Sequence, residues 1–108
     1  MMKFYKTINS KIELVNQIED GCWVNVINPT VDEINFIIKT LNIVPSFLNA
    51  ALDEEESSRI ESEDGQTLII VDAPIAEQQT ENTIVYLTMP VGIIIADKHI
   101  ITVAIREH

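Results

Sequence analysis

The chain is poor in the residues from which most catalytic sites are built. Its 108 residues include one cysteine, two histidines and three glycines. A single cysteine, Cys22, cannot close an internal disulfide, and a reducing, cytosolic setting is the natural expectation. Beside Trp23 it reads as a small buried hydrophobe rather than a nucleophile, and Trp23 itself reads as a core anchor. His99 falls in a predicted turn and His108 is the last residue, so no His–Cys pair or nucleophile elbow is present. Gly21, Gly65 and Gly92 each lie at or near a turn or break, which leaves no glycine-rich cradle for phosphates. The composition points away from an enzyme.

Basic residues are also scarce: seven Lys and Arg stand against seventeen Asp and Glu, a formal net charge of −10. That balance argues strongly against nucleic acid, because nothing here replaces counterions along a phosphate backbone. It argues equally against docking on an anionic membrane through basic residues. No stretch approaches the roughly 20 apolar residues that span a bilayer. The longest uncharged apolar run, Met89–Ala96, is interrupted by Pro90 and Gly92. Met1–Tyr5 lacks the apolar core of a signal peptide. Divalent cations, a basic partner or plain solubility remain compatible with the charge.

What is abundant is Ile and Val, in a chain that is 46% hydrophobic. That is the profile of one folded domain containing a sheet. Lys3–Ile8 and Lys11–Val15 flank Asn9-Ser10 as a first hairpin, and Cys22–Ile27 alternates as a third strand after the Asp20-Gly21 turn. The period then changes. Thr30 with Glu33 three residues on is a capping box, and Ile34, Ile37, Ile38 and Leu41 follow as one apolar helical stripe. Asn42 is a stop. A second short helix starts near Pro45-Ser46, with Phe47, Leu48, Ala51 and Leu52 on one side.

Arg59–Glu63 and Gln66–Ala73 surround Asp64-Gly65 as a second hairpin. Ala76–Asn82 is polar and reads as a loop. Thr83–Leu87 and Val91–Ala96 read as extended segments around Met89-Pro90, where proline implies an edge, a bulge or a break. Ile100–Ile105 is the final strand. The fold class is therefore α+β (α/β/α-like). It has a mixed, largely antiparallel sheet, with about two helices between the third strand and the later hairpins. Leu68–Val71 and Val91–Ile95 are apolar on both alternating faces, as in strands covered on both sides. Two helices cannot do that, so either residues beyond these 108 or a second copy must help.

The segment Asp53–Asp64 concentrates seven acids against one arginine, Arg59. Acids at a helix C-terminus oppose the helix dipole by ~0.3–1 kcal/mol each when close and unscreened. The four in a row, Asp53, Glu54, Glu55 and Glu56, are either a solvated loop or a weak contact for Mg2+, which takes one or two carboxylates and keeps its waters. An EF-hand is excluded by spacing, and zinc by the small Cys and His supply.

The ordered set Trp23-Val24-Asn25-Val26, Pro29-Thr30-x-x-Glu33, Pro45-x-x-Leu48, Leu52-Asp53-x-Glu55 and Arg59-Ile60-Glu61, continued by Thr88–Val91 and Ile101–Val103, resembles a known family. It is similar to the N-terminal cytoplasmic domain of CorA-type magnesium/cobalt transporters, from about residue 3 to 106. The resemblance implies that residues 1–108 are a regulatory domain at the cytoplasmic face of the cell membrane. A stalk, two membrane spans and a Gly-Met-Asn pore loop would lie further on. It implies other subunits of the same transporter as partners, a pentamer in the family, and a divalent cation, weakly bound Mg2+, as regulatory ligand. The family's sensing carboxylates match Asn49 and Ala50 here, a departure that leaves Asp53–Glu56, one turn on, as the substitute. The rival expectation is a stand-alone acidic interaction module with no metal role.

Overall fold

The computed structural model describes residues 1–106; His108 lies outside the described residues. Seven strands form one mixed sheet: β1 (Met2–Ile8), β2 (Lys11–Val15), β3 (Trp23–Ile27), β4 (Arg59–Glu63), β5 (Gln66–Thr80), β6 (Thr83–Ile95) and β7 (Ile100–Ala104). Their spatial order is β2-β1-β3-β7-β6-β5-β4. Every neighbouring pair is antiparallel except β3–β7, whose register runs Trp23↔Ile100 to Ile27↔Ala104. Two helices, α1 (Val31–Thr40) and α2 (Pro45–Ala51), follow β3 within that crossover. The α+β class, the mixed sheet and the position of the helices are those expected from the sequence.

Local chemistry explains the punctuation. Asn9 and Ser10 both take positive φ (52° and 67°), as do Asp64 and Gly65 (50° and 75°). This is the left-handed pair that two-residue hairpins need to match strand twist. Thr30 caps α1 by accepting a hydrogen bond from the Glu33 amide, 3.1 Å, while the Glu33 carboxylate accepts from the Thr30 amide, 2.9 Å. Asn42, at φ 56°, turns the chain left-handed just past α1. Pro45 opens α2 at a position whose amide would have no intrahelical partner.

Both helices pack on one face of the sheet. Ile37, Phe47, Leu48 and Ala51 meet Val24, Val26, Leu68, Ile70, Ile94, Ile101 and Val103 in a single buried core. Phe36, off the apolar stripe read from the sequence, adds a tilted ring contact with Phe4, centroids 6.4 Å apart. A side chain at Gly92 would place its Cβ 2.4 Å from that of Ala51. Glycine there lets α2 lie directly on β6. The buried Gln66 ties the helix linker to the sheet, accepting from the Val44 amide at 3.0 Å and donating to the Asn42 carbonyl at 2.7 Å.

Three expectations need correction. Ala76–Thr80 is not loop but the end of β5, paired as Ala76↔Tyr86, Glu77↔Val85 and Gln78↔Ile84. Its polarity reflects solvent on the ribbon, not absence of a strand. Thr83–Leu87 and Val91–Ala96 belong to one strand, since β6 runs unbroken through Met89-Pro90. Trp23 is no core anchor: it is 37% exposed on the face opposite the helices, stacked on Tyr5 with centroids 4.8 Å apart.

Candidate functional site

The acid run occupies the turn that leaves α2. Leu52 closes that helix, and the Glu56 amide donates to the Asp53 carbonyl at 3.2 Å. The Asp53 carboxylate accepts from the Glu55 amide at 2.9 Å, a side-chain turn typical of aspartate. Glu56 is held by Arg59, Nε to Oε1 2.9 Å, and Arg59 also binds Glu61 through Nη1. These bonds, to Glu61 first and Glu56 second, hold the Arg59 proton more tightly than usual. One arginine thus neutralises the end of the run, and Glu54 and Glu55 are left exposed to solvent. For Mg2+ this is a partial donor set. Among the described residues no three His, Cys, Asp or Glu side chains are grouped to hold a metal ion.

Asn49 and Ala50, where the resemblance leads one to expect carboxylates, are set apart by the helix itself. Asn49 faces solvent on α2, whereas Ala50 is 9% exposed and packs in the core. A carboxylate at 50 would have to leave that core, while one at 49 would not.

Folding also gathers residues that the sequence scatters. Asp20, Asp64 and Asp97 stand in three different turns, yet all line one cleft of about 640 Å3 at the C-terminal end of α1, together with Lys98 and His99. Lys98 Nζ lies 3.8 Å from Asp20 Oδ2, so the cleft is partly neutralised from within. His99 Nε2 is buried with no hydrogen-bond partner among the described residues. The only sequence signal for this cleft is aspartate in turns, which is too common to identify a site.

The face of the sheet opposite the helices carries a small buried cluster of its own, Ile75, Met89, Val91 and Ala104, and a half-exposed apolar stretch beside it. Trp23, Ile69, Val71, Ile93, Ile95 and Ile100 lie there, with Ile95 at 42% and Ile100 at 48% exposure. In its middle a polar line links β3 and β7: Trp23 Nε1 donates to Thr102 Oγ1 at 2.7 Å, which donates to Asn25 Oδ1 at 2.9 Å. The Trp23 donor and the Thr102 hydroxyl are satisfied within the sheet, so an apolar cover would not strand them. No helix among the described residues is long and apolar enough to cross a membrane.

Comparison with known proteins gives this geometry a context. The family described as CorA-like Mg2+ transporter protein matches residues 19–107. A search of curated proteins finds no match. Among solved structures, the soluble domain of CorA from Methanocaldococcus jannaschii superposes with TM-score 0.77 at 22% identity, over 99% of this chain and 41% of that one. The complete structure of the CorA magnesium transporter from the same organism gives TM-score 0.75 at 22% identity, over 99% of this chain and 33% of that one. At that identity the likeness is one of fold. The chain spans well under half the length of either structure.

Proposed function

This chain belongs to the family of CorA-like Mg2+ transporter proteins, and on that premise we propose that residues 1–108 are the N-terminal cytoplasmic regulatory domain of a divalent-cation (Mg2+/Co2+) transporter. The observation that carries the reading is the half-exposed apolar stretch on the sheet face opposite the helices. Helices coming later in a longer chain would bury it, supplying the third layer of an α/β/α arrangement, and would lead on to a stalk and membrane spans. The partners are then other subunits of the same transporter, in a homo-oligomer at the cytoplasmic face of the membrane.

The regulatory ligand is Mg2+, bound weakly and between subunits. Glu54 and Glu55, with Asp53 and Glu56 behind them, offer carboxylates to a hydrated ion whose remaining ligands come from a neighbour or from later residues. A cation bound more tightly by one packing of the domains than by another shifts the balance between them, and so gates the pore. The test removes residues 1–108 from the transporter and follows Mg2+ influx into vesicles as internal Mg2+ is raised. Loss of inhibition by internal Mg2+ is the expected result. Unchanged inhibition sinks the regulatory role, and a native reading frame that stops at His108 sinks the transporter assignment altogether.

A further inference from the structure

The two longest strands outrun their neighbours. β4 pairs with β5 no further than Arg59↔Ile70, and β7 pairs with β6 no further than Ala104↔Val91. Beyond those points β5 and β6 continue as a two-stranded arm, from Asp72↔Pro90 to Thr80↔Thr83. A ribbon of that kind is marginal in water unless something else holds it.

Two different contacts hold it. At the root of the arm, Ile75 and Met89 are buried with Val91 and Ala104, and Ala73 packs against them. This cluster lies on the sheet face opposite the helices, where strand alternation also puts Glu77, two residues beyond Ile75. Glu77 Oε1 meets Arg106 Nη1 at 2.7 Å. Arg106 lies two residues past the end of β7. There the backbones have parted, because a cleft of about 280 Å3 separates Thr88–Pro90 from Ile105 and Arg106, with Glu54 on its wall. The Arg106 side chain crosses to the arm where the β7 backbone does not.

Magnitudes rank the two contacts. Burying Ile75 and Met89 takes two large apolar side chains out of water. The side chains of Arg106 and Glu77 stay 53% and 38% exposed, and an ion pair between solvated groups is weak and falls further with salt. The root is therefore the lasting attachment and the ion pair the releasable one. Beyond the root, from Ala76 to Leu87, every residue is exposed except Glu77 and its cross-strand partner Val85. The outer half of the arm is least exposed at the one pair that Arg106 reaches.

We propose that Arg106 is a latch, which fastens the outer half of the arm to the point where the chain leaves β7. Latched, the arm and the outgoing chain move as one body. Unlatched, the outer half bends freely while the root stays seated in its apolar cluster. The fold thus contains a conformational switch that a single exposed ion pair sets, and that ionic strength or a competing charge at the cleft releases.

The test is residue-resolved amide hydrogen exchange of this chain and its variants. Arg106→Ala and Glu77→Ala are each expected to speed exchange over residues 76–86 by about twofold to fivefold, and the double variant by no more than either alone. Residues 73–75 and 89–91 keep the parent's rates in all three. Raising salt from about 0.05 to about 0.5 M reproduces the effect in the parent and adds little to Arg106→Ala. Exchanging the charges, Glu77→Arg with Arg106→Glu, restores the parent's rates. Parent-like exchange in Arg106→Ala overturns the proposal. So do single effects that multiply in the double variant, a charge exchange that restores nothing, or loss of protection at the root along with the outer half.

Discussion

The two faces of this sheet are built from the same kinds of residue and end in opposite situations. Leu68, Ile70, Ile94 and Ile101 lie under the helices at no more than 1% exposure. Their immediate neighbours Ile69, Ile93, Ile95 and Ile100 point the other way, where Ile69 and Ile93 are half-buried and Ile95 and Ile100 are exposed. Alternation alone does not distinguish the faces, since both are apolar. What distinguishes them is the crossover from β3 to β7, which carries α1 and α2 to one side only. Which face of an apolar strand is buried is therefore set by the layer that packs on it, not by its alternation.

The sharpest way to break that comparison is to put a charge on each face in turn. Ile37→Asp or Ile94→Asp should unfold the domain, because an unpaired buried carboxylate costs about 4 kcal/mol or more. Ile93→Asp should change stability by no more than about 1 kcal/mol in this chain, as measured by urea denaturation. Equal losses at Ile93 and Ile94 would mean that the second face is covered after all.

A smaller effect probes how closely the helical layer sits on the sheet. Gly92→Ala drives a methyl group into Ala51 and should cost about 1–3 kcal/mol as α2 is pushed off β6. If the variant is as stable as its parent, that contact does not set the helix position.

The anchoring of α1 should show in the pH dependence. Glu33 is held below the usual carboxylate range, chiefly by the Thr30 amide and also by the amino terminus of Met1, 3.1 Å away. A depressed folded-state value means that the carboxylate stabilises the fold above the ordinary pKa near 4.5. That contribution is lost as pH falls through the lower, folded value. Glu33→Gln should therefore cost about 0.5–1 kcal/mol near neutral pH and little in acid. A pH-independent loss would show that charge plays no part.

The smallest effect belongs to the acid run. Glu54→Gln with Glu55→Gln should leave the domain folded, with stability unchanged or raised by up to about 0.5 kcal/mol as repulsion is relieved. A large loss in thermal unfolding would mean that these two carboxylates make contacts beyond those seen in the fold.

Much of the architecture was legible because it is written in near neighbours. Asn9-Ser10 and Asp64-Gly65 specify hairpins, Thr30 with Glu33 starts a helix, and Asn42 stops it. The arm was not legible. Ala76–Thr80 has solvent beside it rather than a core, so no alternation of apolar and polar residues marks it as strand. Trp23 was misplaced because a large aromatic beside a buried cysteine looks the same on either face of a strand. At the candidate site, the acids Asp53–Glu56 and the departures Asn49 and Ala50 could be read directly. Which acids remain free could not, because that depends on where Arg59 reaches.

By itself the sequence determined most of the elements, their turns and the acidic, histidine-poor composition, since each depends on residues a few positions apart. Only the tertiary structure decided which face of the sheet the helices cover. It alone brought Asp20, Asp64 and Asp97 to one cleft, and carried β5 and β6 on as a ribbon past the end of β7. Those outcomes depend on contacts between residues far apart in the chain, where strand order and crossover position, not local preference, select the neighbours.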